Sequence, residues 1–97
     1  MIPYTFHAEA EAEFTASVRV YDTESPDVRA RFVAAVEQSI SLIREYPDVG
    51  SPVGRSERRV LIPRFPYQLV YRFNGQSILV VAIAHSHRRP NYWHGRE

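Results

Sequence analysis

The feature that most constrains this chain is an Asn-Gly pair between two β-prone runs. The runs, Tyr67–Phe73 and Ser77–Ala84, are rich in Tyr, Phe, Val, Ile and Leu, residues that favour extended backbone. Asn-Gly between such runs is typical of a two-residue type I′ hairpin, because both central residues of that turn have positive φ. Asn74-Gly75 therefore predicts an antiparallel hairpin in which Phe73 faces Gln76.

This register sorts the hairpin side chains onto two faces of a sheet, because successive residues of a strand point to opposite sides. The more apolar face is expected to accept helices and comprises Tyr67, Leu69, Tyr71, Phe73, Ile78, Val80 and Ala82. The other face comprises Gln68, Val70, Arg72, Leu79, Val81 and Ile83. Extending the register brings Arg64 near His85 on this second face. We expect function there, the alternative being an ordinary solvent-facing surface with scattered arginines.

Apolar residues at helical spacing predict two helices ahead of the hairpin. The first runs from about Ala8 to Asp22. The second begins with Ser25 as N-cap and Pro26 at its first position, and stops at Tyr46-Pro47. The predicted buried faces are Ala10, Phe14, Val18 and Tyr21 in the first helix, and Phe32, Val36, Ile40 and Ile43 in the second.

The remaining elements complete an α+β fold. Tyr4-Thr5-Phe6 reads as a short N-terminal strand, Arg59–Ile62 as a further strand, and 48–56 as a loop. The predicted order is β-α-α-β-β-β, with a helical hairpin packed on one face of a twisted antiparallel sheet. We expect residues 1–97 to form a single domain, because chains of this length have one core.

Composition excludes several classes of protein. The sequence has no cysteine, which rules out disulfides, thiolate nucleophiles and cysteine-ligated metals. Its longest apolar run, Ile78–Ala84, is far shorter than the ~20 residues of a membrane span. Because the first residues also lack the pattern of a secretory signal, we expect a cytoplasmic protein with no membrane partner.

Charge is segregated along the chain. Residues 1–48 hold four Arg against nine Asp and Glu, a net of −5, whereas residues 49–97 hold eight Arg against two Glu, a net of +6. All twelve basic residues are arginine, whose planar guanidinium can hold phosphate or carboxylate with two hydrogen bonds. The second half is therefore expected to present a basic surface to a polyanion or an acidic protein segment.

The C-terminal segment concentrates groups that could cleave a phosphodiester. That reaction needs a base, an acid and cations around phosphorus. His85 or His87 could titrate near neutral pH and Tyr92 could donate a proton, while the cations would be Arg64, Arg72 and Arg88. Each residue also has a structural interpretation: Tyr92 and Trp93 as anchors of the tail, and the arginines as partners of the acidic helices.

Metal and cofactor sites are not expected. His85 and His87 share a strand face with His94 further on, but no carboxylate completes a metal site. The glycines of 50–54 match neither a phosphate-binding loop nor a dinucleotide-binding turn.

Three segments resemble the RelE/ParE superfamily of toxins from type II toxin–antitoxin modules, which include plasmid stabilisation proteins. They are 6–14, 64–72 and 84–93, reading FHAEAEAEF, RFPYQLVYR and AHSHRRPNYW. The resemblance spans nearly the whole chain. It implies a helical hairpin on an antiparallel sheet and an antitoxin partner whose C-terminal segment wraps the toxin.

The resemblance also implies two alternative activities. RelE-like members cut messenger RNA on the ribosome, whereas ParE-like members inhibit DNA gyrase. RelE-like toxins commonly have an arginine after the tyrosine of the middle strand, where this chain has Gln68 after Tyr67, although Arg88 and Tyr92 match the terminal Arg and Tyr of their sites. Segments 65–67 and 89–93 are more similar to ParE-like sequences.

We therefore expect a ParE-like toxin that binds a protein target, DNA gyrase foremost, in a hetero-oligomer with its antitoxin. The alternative is a ribosome-dependent endoribonuclease acting through Arg64, His85, Arg88 and Tyr92. A third interpretation is a member that keeps the fold and antitoxin binding but has lost toxicity. The residues predicted to bind target or antitoxin are Gln68, Arg72, His87, Arg89 and Trp93.

Overall fold

The computed structural model describes residues 1–97 as two helices and a five-stranded sheet. The elements in chain order are β1 Tyr4–Phe6, α1 Ala8–Glu24, α2 Pro26–Glu45, β2 Ser51–Pro52, β3 Glu57–Leu61, β4 Tyr67–Phe73 and β5 Ile78–His85. The predicted α+β architecture is confirmed. β2 was not predicted, because it has only two residues, one a proline, and so carries no strand pattern.

The sheet has the order β1-β5-β4-β3-β2. All neighbours are antiparallel except β1, which pairs in parallel with β5. The expectation of a wholly antiparallel sheet was wrong at this edge. β1 and β5 are far apart in the chain, and parallel neighbours require such a long crossover.

Both helices begin on a side-chain cap. The Oγ of Ser25 accepts a hydrogen bond from Val28 N at 3.0 Å, and Pro26 occupies the first position of α2, as the sequence predicts. In α1 the cap is His7, whose Nδ1 accepts from Glu9 N at 3.0 Å. Neither helix is both long enough and apolar enough to span a membrane.

The main core lies between the helix hairpin and one face of the sheet. All four predicted α2 residues are buried there, together with Ala10, Leu69, Tyr71, Ile78 and Val80. Tyr71 is wholly buried, yet its hydroxyl donates to Pro47 O at 2.6 Å and accepts from Gly50 N at 3.0 Å. These bonds fix the chain that follows α2 onto the sheet.

The turn between β4 and β5 is one residue later than predicted. Gly75 has positive φ but Asn74 does not, and the Oδ1 of Asn74 accepts from the backbone N–H groups of Gln76 and Ser77. Phe73 therefore pairs with Ile78 and not with Gln76. Each residue of β4 near the turn therefore pairs with a residue of β5 two positions later than predicted. Because side chains alternate between faces with a period of two, this shift leaves the predicted members of each face unchanged.

A β-bulge then changes the faces of β5. Tyr71 pairs with Val80 but Val70 pairs with Ala82, so Val81 is an extra residue in the ladder. Beyond it Ile83 points into the helix-side core and Ala82 points to the opposite face. The predicted faces of Ala82 and Ile83 were wrong for this reason.

Candidate functional site

The sheet face turned away from the helices, here the reverse face, is covered by the C-terminal tail, residues 86–97. Trp93 is only 3% exposed and packs in a second cluster with Val70, Val81, Ala82 and Ala84. The chain's own tail therefore occupies part of the face on which we expected function. The apolar side chains of this face are shielded from water by the tail.

A carboxylate from α1 holds the tail in place. Oε1 of Glu13 accepts from Ile83 N at 3.1 Å and from Arg96 Nη1 at 2.9 Å. Its Oε2 accepts from the Tyr92 hydroxyl at 2.7 Å and from Arg96 Nη2 at 2.9 Å. We call Glu13, Tyr92 and Arg96 the tail clasp.

The clasp also completes the edge of the sheet. β1 pairs with β5 only as far as Val80, so the next backbone groups of β5 have no strand beside them on that side. Glu13 accepts a hydrogen bond from the N–H of Ile83, and Arg96 Nη1 donates one to Val81 O at 3.0 Å. Buried backbone groups need such partners, which explains why charged side chains lie here.

Two groups of the clasp, Tyr92 and Arg96, have raised pKa values. Burial, followed by the hydrogen bond to Glu13, raises the pKa of Tyr92 above its ordinary value. The hydrogen bond to Glu13 likewise raises the pKa of Arg96. Tyr92 is thus held as a neutral donor to a carboxylate, which makes it a poorer acid than a free tyrosine.

Three of the four candidate catalytic residues, His85, Arg88 and Tyr92, lie close together, whereas Arg64 lines other hollows. His85 pairs with Tyr67, and its ring lies 5.0 Å from that of Tyr67, on the helix side of the sheet. It shares a cleft of ≈ 180 Å³ with Arg88, whereas Arg64 lines different hollows. The prediction that His85 lies on the face turned away from the helices was wrong, because the bulge moves His85 to the helix side.

Two candidates do share that cleft. Nδ1 of His85 accepts from His87 N at 3.0 Å, so the neutral imidazole carries its proton on Nε2. The Arg88 guanidinium lies 3.9 Å from the centre of the Tyr92 ring. A histidine and an arginine therefore border one cleft, which Glu13 and Tyr67 also line.

The residues predicted to bind a partner have mixed environments. Gln68 accepts from Arg59 Nη1 at 2.9 Å, and Arg72 pairs with Glu57 at 3.1 Å. His87 and Arg89 are exposed, whereas Trp93 is buried. Trp93 thus has the alternative role considered above, that of an anchor.

Sequence reasoning missed Glu13 and Arg96. Glu13 belongs to a run of alternating Ala and Glu that gives no sign of which carboxylate is buried. Its only distinguishing signal is its place beside the apolar face of α1, next to Phe14. Arg96 carries no local signal, since its partners are distant in sequence.

Comparison with known proteins gives a consistent result. Residues 4–90 match the family model described as ParE toxin of type II toxin-antitoxin system, parDE. A solved structure titled "Chromosomal ParDE TA system from P. aeruginosa" superposes with a TM-score of 0.74 at 17% sequence identity, covering 88% of this chain and 96% of that one. No curated protein sequence matches.

Proposed function

Because the chain belongs to the ParE toxin family of type II toxin–antitoxin systems, we propose that it arrests growth by binding a protein target. DNA gyrase is the expected target, and a cognate antitoxin neutralises the toxin in a cytoplasmic hetero-oligomer. The observation that carries binding over catalysis is the hydrogen bond by which the hydroxyl of Tyr92, the candidate acid, is engaged by Glu13.

RNA cleavage would need an acid and a base on opposite sides of one phosphate. The hydroxyl of Tyr92, the candidate acid, donates a hydrogen bond to Glu13, and the raised pKa of Tyr92 opposes release of its proton. Arg64 lines no hollow with His85 or Arg88. This arrangement supports a toxin that acts through its surface.

Partner binding is supported by the exposed arginines. Arg64, Arg88 and Arg89 are exposed and form no salt bridge. Unpaired surface cations attract acidic partners and accelerate their association. The solved structure that shares this fold is described as a ParDE system, which supports an antitoxin partner here.

One observation favours the enzymatic alternative. His85 and Arg88 border the same cleft, and this pair could act on a ribosome-bound message if the ribosome supplied the remaining groups. Under this alternative the protein is a ribosome-dependent endoribonuclease.

Two assays of the purified protein distinguish the alternatives. Supercoiling by DNA gyrase and translation-dependent cleavage of a message are measured side by side. Inhibited supercoiling with intact RNA is the result we expect, and cleavage with normal supercoiling would replace the proposal with the alternative. Neither effect would indicate a member that has lost toxicity.

Arg88 is the most informative single residue for this test. Arg88→Ala should reduce growth inhibition in cells while changing the melting temperature little, because the residue is exposed and its one contact, with the Tyr92 ring, is of a weak kind at a surface. Arg55→Ala, which removes another exposed and unpaired arginine, is the matched control. Full toxicity of Arg88→Ala would remove Arg88 from the functional surface.

A further inference from the structure

The loop between β3 and β4 contains a tight turn with an unusual occupant. Phe65 N donates to Ile62 O at 3.2 Å, which closes a four-residue turn with Pro63 second and Arg64 third. Arg64 has a φ of 71°. Proline second and positive φ third define a type II turn, whose third position favours glycine or asparagine.

An arginine at this position is a disadvantage to the fold. A side chain in the left-handed region is strained by its own Cβ, and glycine avoids that strain. Arg64 gains no salt bridge in return, and it is exposed. Backbone strain kept without a structural return is a feature of functional positions.

Two hollows flank the turn. The helix-side hollow, of ≈ 580 Å³, lies between the turn and α2 and is lined by Val28, Arg31, Ala34, Ala35, Gln38 and 63–65. The strand-side hollow, of ≈ 430 Å³, includes Arg59, Leu61 and Gln68. Arg64 lines both.

The lining of the two hollows combines apolar surface with positive charge. Leu61 is 69% exposed and adds apolar surface to the strand-side hollow. The arginines Arg31, Arg59 and Arg64 are present, and neither hollow is lined by Asp or Glu. Only Arg31 of the three has a carboxylate partner, Asp27.

We propose that this surface, defined by Arg59, Leu61, 63–66 and the two hollows, is a docking site for an extended acidic segment of a partner protein. Apolar side chains of that segment enter the hollows, and its carboxylates pair with Arg59 and Arg64. The inference rests on the part of the proposed function that gives this chain a partner protein such as an antitoxin, and it is independent of which target the toxin has.

The aromatic residues here argue for a protein partner over a nucleic acid. Single-stranded nucleic acids bind by stacking bases on exposed ring faces. Phe65 packs against Tyr21 and Phe32, with ring centres 5.1 Å apart in both cases. It is therefore engaged in the core and offers no stacking platform.

The test uses a short capped peptide of alternating glutamate and leucine, titrated into the folded protein and followed by backbone amide NMR. Matched probes are the same peptide with lysine for glutamate and a single-stranded RNA of similar length. We expect the acidic peptide to shift amides of the turn and both hollows, and the other probes to bind more weakly.

Arg64→Gly is the discriminating variant, since it removes the charge and relieves the strain together. We expect binding of the acidic peptide to weaken about tenfold, the loss of one charge-assisted contact, with a melting temperature equal to or above that of the native protein. Arg64→Asn, which also tolerates positive φ, should behave likewise. Arg55→Gly should leave binding unchanged.

Several results would overturn the docking site. They are absence of acidic-peptide binding, equal binding of the lysine peptide, tighter binding of RNA at the turn, and unchanged affinity in Arg64→Gly. Self-association abolished by Arg64→Gly would assign the surface to a second copy of this chain instead.

Discussion

At the scale of single residues, Glu13 has the most demanding environment in the chain. Its carboxylate receives four hydrogen bonds, from a backbone N–H, a phenol and two guanidinium nitrogens. The side chain is 16% exposed and that of Arg96 is 10% exposed. A partly buried cation that loses its carboxylate keeps the cost of desolvation without the compensating attraction.

Glu13→Gln should therefore lower the free energy of unfolding by about 1 to 3 kcal/mol. Urea unfolding followed by Trp93 fluorescence measures this, since the indole is buried by the tail. Glu11→Gln, two positions away on an exposed side chain, is the control and should change little. Equal stability of the two variants would show that the clasp contributes nothing.

Tyr92 predicts a pH dependence at the alkaline end. Burial and the bond to Glu13 raise its pKa in the folded state, so the fold binds this proton more tightly than the unfolded chain does. The contribution to stability is complete below about pH 10, the ordinary tyrosine pKa, and declines above it as the unfolded chain ionises.

Tyr92→Phe should flatten that decline. Urea midpoints at about pH 8 and about pH 11 would be compared for the native protein and the variant. Burial raises the pKa of Tyr21 and Tyr71 as well. Stability of the variant should therefore still fall with rising pH, but less steeply than that of the native protein. Parallel declines in the two proteins would contradict the assignment to Tyr92.

At the scale of elements, the helices could be predicted because their signals are local. Ser25-Pro26 marks the start of α2, and the buried stripe repeats at helical spacing. The strand pairing could not be predicted as fully. Val81, Ala82 and Ile83 are all apolar and all buried, so no alternation of polarity reveals which of them is the extra residue of the bulge.

The buried stripe of α2 gives a direct test. Ile40 is 6% exposed in the main core, so Ile40→Ala should leave a cavity and cost about 2 to 5 kcal/mol. Leu42→Ala on the same helix, 41% exposed, should cost much less. Thermal or urea unfolding of both variants measures the difference. Similar losses of stability would contradict the assignment of Ile40 to the buried face of α2.

At the scale of the whole molecule, the tail is the part that sequence reasoning placed least well. The fold class follows from patterns within each half of the chain. The arrangement of His85, Arg88 and Tyr92 depends on contacts between the halves, because a bulge moves His85 and a carboxylate in α1 holds Tyr92. The sequence therefore indicated which residues gather here, but not that Glu13 would engage the Tyr92 hydroxyl.

The span of the clasp has a consequence for the lifetime of the fold. Glu13 and Arg96 are 83 residues apart, and closing so long a loop has an entropic cost that local hairpins avoid. We expect this contact to form after the folding transition state, so its loss accelerates unfolding and leaves the folding rate nearly unchanged. Stopped-flow measurements on Glu13→Gln test this expectation. Slowed folding would contradict it. Faster unfolding with an unchanged folding rate would show that the attachment of the C-terminal tail sets how long the native state lasts.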